Sequence, residues 1–378
     1  MPHSADVSLK SERMFIQEGE GGAHSRPPAP FLKIVKVVSS IMPWLIIAGL
    51  LWAGLFIKPA PVGSTVQPPV LERRDHYYGL AILGDRLLLA GSSGKIVAIG
   101  KDGQATRLKT PTERNLQDIA VWDDKHAVAV GNDGVIIQTM DGGGSWTEVK
   151  NAPRSAVANK LIRVRTAEGG IAAAVGEMGA LLMTNDHGKT WTRIRPEEDQ
   201  AWNDVALLPG GKVLAVGEFG KMVTSPDAGG KWTDIQSPLK SSLMAVAFRD
   251  GQNGVAVGLE GAVLVTHDGG QRWAKITIDT RDHLYDISWD AAGKRWIGGG
   301  HLGRWVSADE TASDWKTGRL DANDLSWHTR VLPVGGNVWF AGANIGRWDG
   351  KKWQPLGEPH QNSILFTLPS SIDEKVKP

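Results

Sequence analysis

The chain has 378 residues, including 46 Gly, 16 Trp and no Cys, and a formal net charge of +1. The near-neutral balance gives no electrostatic basis for binding nucleic acid, which needs a basic surface. The lack of cysteine excludes a disulfide framework, a thiolate metal site and a cysteine nucleophile.

The N-terminal part of the chain predicts a tail, an anchor and a linker. Residues 1–33 are rich in Gly and Pro without a periodic segment, which predicts a disordered cytoplasmic tail. Within residues 34–57, positions 37–57 carry no charge, so this stretch is long enough to cross a bilayer as an uncleaved transmembrane helix. Residues 58–77 contain several prolines and predict a semi-rigid linker. Basic residues before the span place the N-terminus in the cytoplasm and the rest of the chain on the far side. These residues are Lys10, Arg13, Arg26, Lys33 and Lys36.

A repeat with a period near 42 residues occupies residues 78–357. Each full copy joins a Gly-x-x-Gly turn to a motif that reads Thr/Ser-x-Asp-x-Gly-x-Thr/Ser-Trp, most clearly at Thr184–Trp191. The second glycines of the turns stand at 134, 179, 220, 261 and 303, and weaker copies at Gly91–Gly94 and Ala343–Gly346 extend the series to seven. This period is typical of a β-propeller blade. The sequence therefore predicts an all-β, seven-bladed propeller of four-stranded antiparallel blades.

The fourth repeat shows the expected strands. Asn203–Leu208, Lys212–Gly217, Lys221–Thr224 and Trp232–Ile235 are short runs bounded by Gly, Pro or Asp. The C-terminal tail, residues 358–378, contains an apolar run at Ser363–Leu368 that resembles the first strand of a blade. It either lies on the surface or pairs beside the first blade to close the ring.

The aspartates and tryptophans of the repeated motif are predicted to be structural. Each Asp accepts backbone N–H bonds across a tight turn, and each Trp packs between blades. A catalytic or metal-binding role is disfavoured because equivalent copies lie apart around a ring, whereas a catalytic site needs convergence. The residues are Asp141, Asp186, Asp227, Asp268, Asp309, Trp146, Trp191, Trp232, Trp273 and Trp315.

The motif resembles the Asp-box, or BNR repeat, and each copy is called an Asp-box below. The longer unit Ala-Val-Gly-x-x-Gly followed by an Asp-box is similar to the family of the photosystem II stability and assembly factor Ycf48. Four segments carry the unit: Ala129–Gly143, Ala174–Gly188, Ala215–Gly229 and Ala256–Gly270. The resemblance implies a non-enzymatic protein without a cofactor that binds membrane-protein partners and helps to assemble or stabilise them.

The long tail and anchor differ from the photosynthetic members and indicate a bacterial relative in the inner membrane, with its propeller in the periplasm. The expected partner is an integral inner-membrane protein or complex, with exporters of the resistance-nodulation-division type as the favoured class. A photosystem-type assembly factor is an alternative. The lipid bilayer is the second expected partner, through residues 37–57.

A partner-binding surface is expected where the repeats differ. Aromatic residues near the starts of first strands are typical interface anchors, three glutamates fall in successive Gly-x-x-Gly turns, and three arginines stand in first strands. At positions equivalent to Arg163 and Arg330, other repeats hold Asp118, Asp204, Ala245 and Asp286, so the family's arginine surface is not transferred position by position. The expected residues are Trp202, Tyr285, Trp327, Arg163, Arg165, Arg330, Glu177, Glu218 and Glu260.

Two enzyme classes are weighed against this interpretation. A sialidase-like glycosidase needs an arginine triad, a tyrosine nucleophile with its Glu partner and an Asp acid, and Tyr285 beside Asp286 is the only such Tyr–Asp pair within a blade. A quinoprotein-type site needs convergent Ca²⁺ ligands. The histidines show no metal-ligand spacing: His76, His126, His267, His283, His301, His328 and His360. No metal or cofactor is therefore expected.

Overall fold

The computed structural model describes residues 29–56, 69–72 and 74–356, with side chains from residue 37 onward. The chain divides after Gln67 into two units, which are described separately. In the first, helix α1 spans Ala29–Phe56, and its segment Val37–Phe56 is long and apolar enough to cross a membrane. A helix of this kind near the N-terminus fits either a membrane span or a signal sequence.

The second unit is a ring of seven sheets, each with four antiparallel strands in chain order. The predicted seven-bladed propeller is therefore confirmed. Blades 1 to 4 contain β1 Tyr77–Leu83, β2 Arg86–Gly91, β3 Ile96–Ile99, β4 Ala105–Leu108; β5 Leu116–Val121, β6 Ala127–Gly131, β7 Ile136–Thr139, β8 Thr147–Glu148; β9 Leu161–Ala167, β10 Ile171–Gly176, β11 Leu181–Thr184, β12 Thr192–Arg193; β13 Trp202–Leu208, β14 Lys212–Gly217, β15 Met222–Ser225, β16 Thr233–Asp234.

The remaining blades follow the same order. Blades 5 to 7 contain β17 Leu243–Phe248, β18 Gly254–Gly258, β19 Val263–Thr266, β20 Ala274–Ile276; β21 Leu284–Asp290, β22 Arg295–Gly300, β23 Arg304–Ala308, β24 Trp315–Arg319; β25 His328–Val334, β26 Asn337–Gly342, β27 Ile345–Trp348, β28 Trp353–Pro355. Short 3-10 turns lie at Ser92–Gly94, Asn132–Gly134, Glu168–Gly170, Pro209–Gly211, Glu218–Gly220, Leu259–Gly261 and His301–Gly303. The strands of the fourth blade agree with the predicted runs to within one or two residues.

The first strand of every blade lines the centre of the ring and packs against the first strand of the next, and β25 packs against β1. An apolar cluster that joins Tyr77, Leu87 and Leu89 to Trp339 and Ala341 fills the junction between blades 7 and 1. Blades 1 and 7 each have four strands among the described residues. The predicted closing strand in residues 358–378 lies outside the part of the chain that the structure describes.

The ring has two faces. The turn face holds the starts of the first strands and the turns between second and third strands. The box face holds the hairpins between first and second strands and the Asp-boxes between third and fourth strands.

A close approach between backbones fixes the geometry of the turn face. At the end of each second strand stands a glycine on which a Cβ would overlap the carbonyl oxygen of the residue just before the first strand of that blade. For Gly258 the blocking atom is the oxygen of Ser242, and its φ of −167° is ordinary extended backbone, so the space and not the dihedral requires glycine. The seven residues are Gly91, Gly131, Gly176, Gly217, Gly258, Gly300 and Gly342.

This contact corrects the register of the seventh repeat. The sequence pattern places Ala343 at the first position of the turn and Gly346 at the last. In the structure Gly342 approaches the carbonyl oxygen of Trp327, and Gly346 already lies within β27. The turn is two residues shorter, since the N–H of Gly342 donates to the oxygen of Asn344, whereas that of Gly91 donates to the oxygen of Lys95.

We expect Gly258→Ala to destabilise the propeller by about 1–3 kcal/mol, because the added methyl group forces two backbone segments apart. Gly251→Ala is the matched control, since a Cβ there has no neighbour closer than Cγ of Pro209 at 4.0 Å, and its effect should stay within about 0.5 kcal/mol. Urea unfolding of the full chain in detergent, followed by tryptophan fluorescence, measures both. Equal stability of the two variants would contradict the close-approach explanation.

Candidate functional site: the turn face and the central channel

The Asp-boxes are closed hydrogen-bonded turns. In blade 2, Oδ1 of Asp141 accepts the hydroxyl of Thr139 at 2.8 Å and the backbone N–H of Ser145 at 2.9 Å, while Oδ2 accepts the hydroxyl of Ser145 at 2.6 Å. The N–H of Gly143 donates to Oγ1 of Thr139 at 2.8 Å. The boxes at Asp186, Asp227, Asp268 and Asp309 repeat the bond from the backbone to the carboxylate.

These hydrogen bonds make the box aspartates poor proton donors. Bonds from the side chain and backbone of Ser145 and from Thr139 lower the pKa of Asp141 to about 2. The pKa values of Asp186, Asp227, Asp268 and Asp309 are lowered as well. A general acid at neutral pH needs the opposite shift. The structure therefore gives these carboxylates a turn-forming role.

The box tryptophans fill the space between neighbouring blades. Trp146 lies in one buried cluster with Leu83 and Leu88 of blade 1. Trp191 Nε1 donates to the oxygen of Gly188 at 3.0 Å, so the indole also closes its own turn. Trp232, Trp273 and Trp315 make the same bond to the oxygens of Gly229, Gly270 and Ala312.

A balanced ionic cluster fills the central channel. Its carboxylates stand at equivalent positions of the first strands of blades 2, 4 and 6, and each accepts a backbone N–H from the next blade. Arg165 holds Asp204 with two bonds at 3.0 and 2.7 Å, and Arg330 approaches both Asp118, at 3.1 Å, and Asp286, at 3.3 Å. Arg163 reaches across the ring to the backbone oxygens of Tyr285, at 3.1 Å, and Thr329, at 3.3 Å. The members are Asp118, Asp204, Asp286, Arg163, Arg165 and Arg330.

Burial and pairing act against each other in this cluster. Burial raises the pKa of Asp204, but the charges of Arg165, Arg163 and Arg330 outweigh it, so the net pKa is lowered. Burial lowers the pKa of Arg165, and the three carboxylates more than reverse this. The Asp204–Arg165 pair is consequently ionised in the folded state. The contacts of Arg163 with Asp286 and of Arg330 with Asp118 join non-adjacent blades through the centre of the ring.

The structure corrects three of the residues expected on a partner-binding surface. Arg163 and Arg330 are 5% and 7% exposed because their guanidinium groups lie within the channel cluster. Trp202 is fully buried in the core between blades 3 and 4, beside Val175 and Leu181. These three side chains do not face a partner, whereas Arg165 remains partly exposed.

The other two predicted aromatics lie on the turn face. Trp327 stacks on Tyr78 with ring centroids 5.8 Å apart, and His76 packs edge-on against Trp327 at 5.4 Å, so this cluster spans blades 7 and 1. Tyr285 packs near His283, which stacks on the ring of His301. Tyr78 and Tyr285 occupy equivalent bulges in the first strands of blades 1 and 6, so both lie at the channel mouth.

The three glutamates also lie on the turn face, each bonded to the loop that precedes a first strand. Glu177 accepts the N–H of Lys160 at 3.2 Å, and Glu218 accepts that of Ala201 at 2.8 Å. Glu260 is exposed and accepts the hydroxyl of Ser241 at 3.2 Å. They occupy blades 3, 4 and 5 in succession.

The apolar tips of the turns are functional candidates that the sequence pattern did not indicate. Phe219 is 71% exposed and has φ of +55°, in the left-handed region that bulky side chains avoid. Met178 and Leu302 hold the same position in blades 3 and 6, with φ of +54° and +57°. Ser93, Asp133 and Glu260 complete the set. The third residue of each Gly-x-x-Gly turn could have indicated these tips, because a non-glycine residue in a left-handed conformation there costs conformational free energy.

The geometry disfavours sialidase chemistry. Arg163 and Arg330 are tied to aspartates inside the channel, so they do not form a free triad that could grip a carboxylate. Burial raises the pKa of the Tyr285 hydroxyl, which opposes its use as a nucleophile. Asp286, its neighbour in sequence, accepts the N–H of Val331 and pairs with Arg330.

The residues that could hold a metal lie on the opposite face. Within the described residues, Asp123, His126 and His187 bring three ligand atoms within 4.8 Å of one another on the box face. The sequence spacing did not show this group, because its members come from two blades.

Comparisons with known proteins agree with the fold. The family model of the photosynthesis system II assembly factor YCF48 matches residues 100–201 and 224–285. The solved structure of YCF48 bound to a D1 peptide is 15% identical, with a TM-score of 0.58, over 73% of this chain and 92% of that one. YCF48 from Cyanidioschyzon merolae is 14% identical, with a TM-score of 0.60, over 73% of this chain and 95% of that one.

PorZ, a surface component of the type-IX secretion system of Porphyromonas gingivalis, is 15% identical, with a TM-score of 0.57, over 78% of this chain and 39% of PorZ. Comparison with curated proteins found no match. The ring of turn-forming Asp-boxes defines a BNR-repeat β-propeller. Within that class, the propeller is similar in fold to YCF48, and part of the chain matches the YCF48 family model.

We expect Asp204→Asn to destabilise the propeller by about 3–5 kcal/mol, because it leaves the partly buried Arg165 without its hydrogen-bonded counter-charge. The pKa of Asp204 is lower in the folded than in the unfolded chain, so its contribution is present above about pH 4 and is lost as the pH falls through the folded-state pKa. The variant should show a weaker loss of stability in acid than the parent chain. Asp234→Asn, at an exposed position, is the control. Equal denaturant midpoints for the two variants would contradict this role.

Proposed function

We propose that this chain is a non-enzymatic, membrane-anchored binding protein that holds a segment of an integral membrane protein on its turn face. The observation that carries the proposal is the position of Phe219, a large apolar side chain that is exposed and held in a left-handed conformation. Such a conformation costs on the order of 1–2 kcal/mol, and nothing in the fold requires phenylalanine there, since Ser93 and Asp133 occupy the same position in other blades. A binding role accounts for both the exposure and the strain.

The surroundings of Phe219 suit a peptide segment. Tyr285 and the Tyr78–Trp327 stack offer flat aromatic surfaces around the channel mouth, and aromatic side chains supply large contact area at low entropic cost. Glu177, Glu218 and Glu260 give the same face acidic groups in three successive blades. We infer that the partner segment is extended, partly apolar and basic at some positions. A YCF48 propeller has been solved with a D1 peptide, which supports a peptide as the kind of ligand.

The membrane anchor determines the compartment in which the propeller meets its partner. We propose that α1 is an uncleaved single-pass span of a bacterial inner membrane, with residues 1–33 cytoplasmic, residues 58–77 as the linker and residues 78–357 on the periplasmic side. The segment Val37–Phe56 supports this, because its side chains are apolar and exposed. A propeller tethered in this way reaches the periplasmic parts of membrane proteins. Exporters of the resistance-nodulation-division type are the partner class that we would test first, and a photosystem-type complex is the alternative.

The test is a pull-down of the full chain from gently solubilised native membranes. We expect Phe219→Asn to lose the membrane partner while the propeller keeps or gains about 1 kcal/mol of stability, because asparagine tolerates the left-handed conformation. Met140→Asn is the matched control, since Met140 is an exposed apolar residue on the box face. Mass spectrometry of the co-purified proteins gives the readout.

Three outcomes count against the proposal. Full retention of the partner by Phe219→Asn would remove the turn face from the interaction. Loss of the partner by Met140→Asn alone would assign binding to the box face. A wild-type chain that purifies without any membrane protein would contradict the binding function itself.

A further inference from the structure

We propose that Asp123, His126 and His187 form a binding site for one divalent transition-metal ion, for which Zn²⁺ is the representative probe. The site lies on the box face, where the β5–β6 hairpin of blade 2 meets the Asp-box of blade 3. It does not depend on the proposed partner-binding function.

The three side chains converge from two neighbouring blades. Nδ1 of His126 lies 2.8 Å from both carboxylate oxygens of Asp123, and Nε2 of His187 lies 3.9 Å from Oδ2 of Asp123. The centroids of the two imidazole rings are 4.4 Å apart. Ligand atoms at about 2.0–2.1 Å from a tetrahedral zinc ion are roughly 3.4 Å from one another. The two distances from histidine nitrogens to Asp123 lie on either side of this value, and all three ligand atoms lie within 4.8 Å of one another.

The backbone around the group is fixed. Trp122 Nε1 donates to the oxygen of Ile171 at 2.6 Å, which ties the blade-2 hairpin to blade 3. The N–H of His187 donates to the oxygen of Gly170 at 3.0 Å. A Cβ on Gly170 would lie 2.7 Å from Nδ1 of His187, so that edge of the ring is covered and Nε2 is the nitrogen directed at Asp123. A metal site requires ligands whose positions are already fixed by the surrounding backbone, as they are here.

The repeats show that neither histidine is needed for the fold. The positions equivalent to His187 in the other full Asp-boxes hold Gly142, Ala228 and Gly269, all at positive φ like His187 itself. Blade 5 repeats the hairpin with Asp250 and Asn253, and Nδ2 of Asn253 bonds the carboxylate of Asp250 as His126 bonds Asp123. There the guanidinium of Arg249 in the hairpin donates to the backbone oxygen of Glu310, which follows the blade-6 box aspartate in place of the second histidine. The second imidazole is therefore specific to the junction of blades 2 and 3.

The ligand set selects the kind of metal. Two imidazoles and one carboxylate suit zinc and its first-row neighbours, whereas Ca²⁺ and Mg²⁺ take oxygen ligands. The side chains of Asp123, His126 and His187 are 48%, 23% and 32% exposed, so the ion can enter from solvent and would keep at least one position for water or another ligand. The bound ion would join blades 2 and 3 at the rim of the ring.

The test uses the full chain in detergent, with any affinity tag removed, and equilibrium dialysis against Zn²⁺. We expect one tightly held Zn²⁺ per chain, and a loss of affinity of more than about 100-fold in His126→Asn and in His187→Ala. Both substitutions copy residues that the fold already accepts at equivalent positions, Asn253 and Ala228, so they should fold. His267→Asn is the control, because His267 lies on the same face but bonds Asn253 instead of the cluster.

Two further readouts separate metal binding from a structural role of the histidines. Co²⁺ should give a visible absorption band in the parent chain that both variants lack. Zn²⁺ at about 100 times its dissociation constant should raise the unfolding temperature of the parent by roughly 5 °C, and not that of the variants. A parent chain that takes up no more Zn²⁺ than a double variant carrying both His126→Asn and His187→Ala would overturn the proposal, as would retention of one tightly held Zn²⁺ by either single variant.

Discussion

The close approach of seven glycines to the carbonyl oxygens before the first strands determines the shape of the turn face. Gly258 shows the constraint: its φ is ordinary, but the oxygen of Ser242 occupies the space of a Cβ. The chain must then turn sharply, and Glu260, the third residue of that turn, takes φ of +58°. Its side chain projects from the ring. In blades 1 to 6 this constraint therefore also creates a row of projecting tips, and the residues at these tips differ in chemistry.

Ion pairs and hydrogen bonds in the central channel join the blades, so the two faces of the ring can contact other molecules. The carboxylates of Asp118, Asp204 and Asp286 each accept an N–H from the next blade, and three arginines neutralise them. Removing one member of a buried ion pair costs more than the pair contributes, because an uncompensated charge remains. The buried charges of the channel interior are therefore engaged with one another. At the turn tips and at the rim of the box face, a residue can change with little loss of folding stability.

The repeat predicted the architecture because each blade is one short unit copied along the chain, and its strands are bounded by Gly, Pro and Asp. The site was harder to predict, because side-chain exposure depends on neighbouring blades. Trp202 stands where an interface anchor would stand, yet it is enclosed between blades 3 and 4. Other blades carry aspartates at the repeat position of Arg163 and Arg330. The sequence shows these opposite charges, but only the closed ring brings them into contact. The meeting of His126 and His187 depends on the packing of adjacent blades, which a single-repeat pattern does not encode.

Photo-cross-linking from defined positions tests the central claim most directly, which is that the turn face receives a membrane partner. A photoreactive amino acid placed at position 219 should cross-link the full chain to an integral membrane protein in native membranes, and the same residue at position 140 should not. The cross-linked peptide should map to a segment of that protein outside the bilayer. Cross-linking from position 140 with none from position 219 would contradict the assignment of the turn face.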